Sequence, residues 1–286
     1  MINSTKAASE VLGMMLILST MMVVIGLIMV VGVPMIDSAK HTAKMDVAMN
    51  SFLSLQNDIE EVVRGPIWVQ DPSNITDISG TAPSRETHFE LMDGTLSEFP
   101  SSTNLTHTAN GGEYTTNIST GKIEYKSGDE FIVYENGAII RMYGSGTPIM
   151  FSDPLINIFN SGTDRTIISI HAINLRGSIS STAGESKAIV ETRLRYYNQT
   201  IESTGDQNSN QSNILIFSDY PSAWSEFFDE ELSGAGLTPG NKGDTTGYNI
   251  SGTMPLEVQV YGTNGNKNAL DIFLSVYDSG IDQEIE

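Results

Sequence analysis

The chain has 286 residues, with 15 Lys and Arg against 35 Asp and Glu, a net charge of −20, and no cysteine. Without cysteine there is no disulfide scaffold, no thiolate metal site and no cysteine nucleophile. Residues 1–64 hold four basic and six acidic groups, net −2, which leaves −18 for the rest; that acidity reads as solubility and excludes nucleic acid and anionic lipid as partners of the water-facing part, since affinity for either rests on clustered Lys and Arg.

A short leader, MINSTKA, is followed by an apolar run from Val11 to Ile36, with no charge between Glu10 and Asp37. As a helix the run reaches roughly 39 Å, enough to cross a hydrocarbon core of about 30 Å. Gly13, Gly26, Gly32 and Pro34 interrupt it. In lipid or in a helix bundle they are tolerated, and small residues let helices approach closely. Its many methionines, such as Met14, Met21 and Met29, suit packing against lipid or neighbouring helices. Asp37 to Arg64 contains neither Pro nor Gly. Apolar residues recur there at Met45, Ala48, Phe52, Leu55, Ile59 and Val62, the three-and-four spacing of a helix seam. The pattern predicts one rod from Ala8 to Val63, about 56 residues and roughly 80 Å long. Pro34 is the place for a bend, and Gly65-Pro66 ends the rod. Its seam would pack on the rest of the same chain or on other rods.

Beyond Pro66 the pattern turns to strands. Pro72–Arg85 and Glu98–Gly112 read as polar loops. Strands are expected at Thr87–Met92, Lys122–Lys126, Glu130–Glu135, Ala138–Tyr143, Thr166–Leu175, Ala188–Tyr197, Asn213–Phe217, Leu256–Tyr261 and Ala269–Tyr277. Val190, Thr192, Leu194 and Tyr196 alternate with Glu191, Arg193 and Arg195, the mark of a half-buried strand; Leu270, Ile272, Leu274 and Val276 alternate likewise. Asn136-Gly137 is a strong hairpin signal, and Ser127-Gly128 suggests a second turn. Pro221–Leu232 reads as a short helix with Pro in its first turn, anchored to the sheet by Trp224, Phe227 and Phe228. Ser203–Ser212 reads as a flexible loop. The fold class is α+β, a long N-terminal hydrophobic and amphipathic helix followed by a mainly antiparallel β domain. The division is 1–7 leader, 8–64 helix and 65–286 β domain.

Asn-x-Ser/Thr sequons stand at Asn74, Asn104, Asn117, Asn198, Asn210 and Asn249, with another at Asn3. Six on one side of a membrane suit an exported glycoprotein. The leader is too short for a secretory signal with its own apolar core and small-residue cleavage site.

Lys6-Ala7-Ala8-Ser9-Glu10 directly before a retained apolar run resembles the class III signal peptides of archaeal type IV pilins and archaellins. The resemblance implies cleavage by a prepilin peptidase between Ala7 and Ala8. It also implies a membrane stage, extraction by a pilus assembly ATPase and platform, and a homopolymer whose N-terminal helices form the filament core. The segments GDEFIVYENGAIIRMYG and YPSAWSEFF look like an uncharacterised euryarchaeal family of pilin-like proteins. Glu10 would be the third mature residue, whereas bacterial type IV pilins carry a Glu at the fifth, paired with the new amine. Here Glu10 either finds such a partner in a bundle or lies solvated at the interface.

No catalytic constellation is visible. His41, His88, His107 and His171 show no metal-ligand spacing. There is no G-x-S-x-G elbow and no P-loop. Asp206–Asn210 begins like a calcium loop, but Gln211 and Phe217 stand where Gly and Glu are needed. Trp68 and Trp224 read as packing residues. No enzyme activity and no cofactor are expected. The expected role is a pilin, with glycosylated β heads on the outer surface of an extracellular adhesive filament. The alternative is a membrane-anchored surface glycoprotein that does not polymerise.

Overall fold

The computed structural model describes residues 3–64, 74–75, 84–109, 114–160, 165–203, 211–240, 247–261 and 271–285. It divides into two compact units, Met1–Val47 and Ala48–Glu286. The helical backbone runs through α1 (Asn3–Leu27), a π turn (Ile28–Gly32) and α2 (Val33–Arg64). The π turn has a local cause. Pro34 has no N–H to donate back, and its ring crowds the carbonyl four residues earlier. A wider turn centred on Val30 relieves that crowding. The division into units falls within α2, not at its end, because the side chains from Ala48 onward are built into the β domain.

The strands are β1 (Asn74–Ile75), β2 (Ser84–Glu90), β3 (Thr95–Ala109), β4 (Tyr114–Ser127), β5 (Glu130–Glu135), β6 (Ala138–Met142), β7 (Ile149–Ser152) and β8 (Ile156–Asn160). They continue with β9 (Arg165–Arg176), β10 (Ser180–Ala183), β11 (Lys187–Ser203) and β12 (Gln211–Phe217). Helix α3 (Pro221–Gly234) follows, then β13 (Thr238–Pro239), β14 (Gly247–Gly252), β15 (Leu256–Tyr261) and β16 (Asp271–Ile285). One sheet has six strands in the order β1-β11-β16-β9-β8, with β2 also on β11. The other has ten, in the order β13-β14-β15-β12-β3-β4-β5-β6-β7, with β10 on β3. Pairing is antiparallel except for β16 with β9 and β13 with β14. The inner faces share a core that joins Leu105, Val133 and Ile140 to Ile158, Ile168 and Ile170. Helix α3 closes that core with Trp224 and Phe228, both fully buried. Trp224 meets Phe227 edge-on at 6.1 Å.

Every strand expected from the pattern coincides with or overlaps an observed one. The Asn136-Gly137 hairpin is present, with φ of 47° and 87° at its two turn residues, the positive values a two-residue hairpin turn requires. Helix α3 runs two residues past its expected end. Val190, Thr192 and Leu194 are buried, while Arg193 between them is exposed.

The polar loop expected at Glu98–Gly112 is instead strand through Ala109, and in the other expected loop Asn74–Ile75 form β1 and Ser84 and Arg85 lie in β2. Polar strands look like loops because their inward positions are not apolar. Beyond the irregularity between Phe99 and Thr103, the inward residues of β3 are Thr103, Leu105 and His107. Their polar atoms are met across the sheet, Thr103 by Thr120 at 2.7 Å and His107 by Ser212 at 2.8 Å, which removes most of the cost of burying them. Ser212 also lies in a strand and not in the expected loop. Residues 204–210, Trp68 and the helix end at Gly65-Pro66 lie outside the described residues.

Candidate functional site

The apolar run is an exposed helix. Every large hydrophobic side chain from Val11 to Ile36 is at least half exposed, from 50% at Val33 to 78% at Met14. Its hydroxyls are met by its own backbone. Ser19 Oγ donates to the Met15 carbonyl at 2.8 Å, and Thr20 Oγ1 donates to that of Ile17 at 2.9 Å. A segment in lipid must satisfy its polar groups internally in this way. A Cβ added at Gly13 or Gly26 would meet nothing within 4 Å, so these positions leave shallow openings where another helix can approach. The helix is long and apolar enough to cross a membrane. Pro34 lies within this exposed stretch, directly after the π turn. Lys6, Ala7, Ala8, Ser9 and Glu10 lie in the backbone of α1, and their side chains fall outside the described residues.

The seam in α2 is the opposite surface. Met45, Ala48, Phe52, Leu55, Ile59 and Val62 are all buried within the single chain. Of the two surfaces the seam was expected to meet, the same chain is the one it meets from Ala48 onward. Phe52 packs edge-on against Phe89 of β2, with centroids 5.2 Å apart. Burying side chains of this size stabilises by about 1.5–3 kcal/mol each. Three polar residues beside the seam fix its register. Gln56 Nε2 donates to the carbonyls of Gly137 at 2.7 Å and Asp153 at 3.0 Å, and its Oε1 accepts from Ser152 Oγ at 2.7 Å. Asp58 accepts from Thr87 Oγ1 at 2.6 Å. Glu61 and Arg85 form an exposed bidentate pair, and the Arg85 hydrogen bonds hold the Glu61 carboxyl below its ordinary value. Gln56 is absent from the sequence prediction. A polar residue between two seam positions carries no periodic signal, and its partners arrive from far along the chain.

Three sequons share one face of the ten-stranded sheet. Thr106 is paired with Asn117 on β4 and with Leu215 on β12. Asn104 is two residues from Thr106 on the same face. Leu215 is paired with Glu257, and Glu257 with Ser251, two residues from Asn249. This is the outer face, since Leu105, Ile214 and Val258 point inward. Asn117 and Asn249 are exposed and Asn104 is half-buried. Asn74 and Asn198 are backbone partners on β1 and β11; Asn210 and the Asn198 side chain lie outside the described residues.

His107 and Glu135 are ionisable groups buried inside the β domain. His107 is pushed down to about 4 by burial, so it is neutral at pH 7. Glu135 is buried between β5 and α3, where its Oε1 accepts from Trp224 Nε1 at 3.0 Å. Burial raises it to about 7, against the lowering influence of Ser218, Trp224 and Lys122. No group of three or more His, Cys, Asp and Glu with metal-site geometry occurs among the described residues. An open groove of about 460 Å³ runs beside α3, lined by Glu226, Asp229, Tyr248 and Asn249 among others. In it the Tyr248 hydroxyl donates to Asp229 Oδ1 at 2.6 Å, and burial, then Asp229, raises the phenol to about 12.

Residues 72–261 match a family of unknown function, DUF7289. The matched stretch lies within the β domain and covers most of it. No curated protein and no solved structure matches the chain.

Proposed function

We propose, for a chain that belongs to the DUF7289 family, a structural role as a pilin of an archaeal type IV pilus-like filament. The observation that carries the reading is the wholly exposed apolar surface of residues 11–36 on a helix that continues, without a linker, into the β domain. So large an apolar surface is not stable in water. Lipid satisfies it before assembly, and the same run of other copies satisfies it afterwards. A prepilin peptidase cuts between Ala7 and Ala8, and an ATPase-driven platform moves the subunit out of the membrane. The β domains then form the outer surface, with glycans at the sequons, and make the adhesive contacts.

The test has two parts. Mass spectrometry of the native protein is expected to find an N-terminus at Ala8, and electron microscopy of surface filaments is expected to find this chain in them by peptide identification. An intact Met1 in the mature protein, or a cut after Pro34, sinks the reading.

A second reading, a membrane-anchored surface glycoprotein that does not polymerise, is favoured by one specific observation. The seam from Met45 to Val62 is buried within its own chain, so filament contacts would rest on the run before Asp37 alone. An N-terminus at Ala8 with no filaments containing the chain selects this reading.

A further inference from the structure

One polar cluster lies beside the core, and neither reading above uses it. The Lys122 side chain of β4 is 11% exposed, and its Nζ lies 2.8 Å from Oδ2 of Asp219, 97 residues further along in the turn that leads into α3; the Asp219 side chain is 55% exposed. The rings of Phe99 and Tyr220 flank the ammonium at 5.3 and 5.7 Å. Glu124 Oε2 stands 3.4 Å away. Lys122 and Glu135 are direct register partners on β4 and β5, which puts their side chains on one face with Cβ atoms about 5 Å apart. Glu135 is 1% exposed, and its Oε2 has no hydrogen-bond partner among the described residues.

An amine, a carboxyl in contact with it and a second, buried carboxyl beside them are the parts needed to form an amide. We propose that Lys122 and Asp219 condense into an intramolecular isopeptide bond, with Glu135 as the proton carrier. A nitrogen hydrogen-bonded to a carboxylate lies about 3.5 Å from its carbon, a near-attack distance. The pair starts as ammonium and carboxylate. Burial works against the charge on Lys122, and Asp219 and Glu124 outweigh it. Along their 2.8 Å hydrogen bond a proton passes from Nζ to the Asp219 carboxyl, leaving a neutral amine and a neutral acid. Nζ attacks Cγ and the C–N bond forms. Glu135 takes the second proton from nitrogen and returns it to the departing hydroxyl, which leaves as water. Ammonium plus carboxylate gives amide plus water, and no oxidant or cofactor enters. Because burial holds Glu135 at about 7, both of its forms are populated near neutrality, as a proton carrier requires. The bond would tie β4 to the start of α3 in a chain that has no cysteine, and would constrain the unfolded chain as a disulfide does.

The experiment is peptide mapping by mass spectrometry of the full chain, purified from membranes and deglycosylated. The expected result is a branched peptide joining the Lys122 and Asp219 segments, lighter by one water than their sum. Lys122→Arg keeps the ion pair but cannot form the amide, and should return both peptides linear at full mass. Glu135→Gln, with its fold checked by circular dichroism, should slow or abolish the link. Linear peptides of full mass from the natural chain overturn the proposal and leave an ion pair only. A link formed as fast in Glu135→Gln overturns the role given to Glu135. Neither result depends on whether the chain forms filaments.

Discussion

Two stretches of the N-terminal helical segment differ in what their side chains meet. From Val11 to Ile36 the side chains are apolar all round and all exposed. From Ala48 to Val63 only one stripe is apolar, and that stripe is buried. An all-round apolar helix has no preferred partner face, so its environment must surround it, as lipid or a bundle does. A one-sided helix needs one partner surface, and the β domain of the same chain supplies it. The first stretch is therefore left for whatever surrounds the protein, while the second belongs to the fold.

The largest effect should come from the buried stretch. Phe52→Ala removes the ring packed on Phe89 and is expected to cost about 3–5 kcal/mol of β-domain stability, read by chemical denaturation. The same truncation at Leu16, which is exposed, should leave that stability unchanged; a comparable loss there would break the contrast. Val24→Lys addresses the other stretch. It should weaken membrane insertion by about 3–4 kcal/mol and leave the β domain folded, as judged by carbonate extraction alongside circular dichroism.

The run has no ionisable group, so the pH dependence of unfolding belongs to the β domain. Glu135 is raised from 4.5 to about 7, so the folded state holds its proton more tightly than the unfolded state. The stability this gives is fully present below about 4.5 and is lost as pH rises through about 7, a span of roughly 3 kcal/mol. Glu135→Gln in the Lys122→Arg chain, where no link can form, should flatten that decline in a pH series of melts. His107 acts in the opposite sense. Its pKa falls from 6.5 to about 4, so its stabilisation is present above 6.5 and is lost as pH falls through about 4.

Smaller effects follow at the polar contacts of α2. Gln56→Ala leaves the carbonyls of Gly137 and Asp153 without their donor and should cost about 1–3 kcal/mol. Arg85→Ala breaks an exposed pair and should not measurably shift the melt. A large loss there would mean that the end of α2 is held by charge and not by its seam.

The helix and the apolar run were legible in the sequence because their signals are local. Periodicity over a few turns and the absence of charge need no knowledge of distant residues. The hairpin at Asn136-Gly137 was legible for the same reason, since its turn needs residues that tolerate positive φ. What was not legible is that this turn is buried. Asn136 is 3% exposed and accepts from the Ile173 backbone at 3.0 Å, while Gln56 grips the carbonyl beside it. Turn residues ordinarily face water, and only partners far along the chain reverse that. From Glu98 onward, strand β3 has the sequence of a loop for a related reason. Thr103 and His107 look like surface residues until Thr120 and Ser212 stand opposite them.

By itself, then, the sequence determined the elements whose stability is local or set by solvent: the helix, the run that must leave water, and most of the alternating strands. The tertiary structure decided which polar residues go inside, which partner the seam takes, and which sequons share a face. Those choices depend on hydrogen bonds and contacts between residues up to more than a hundred positions apart. Burial of a polar group is favourable only once its partner is in place.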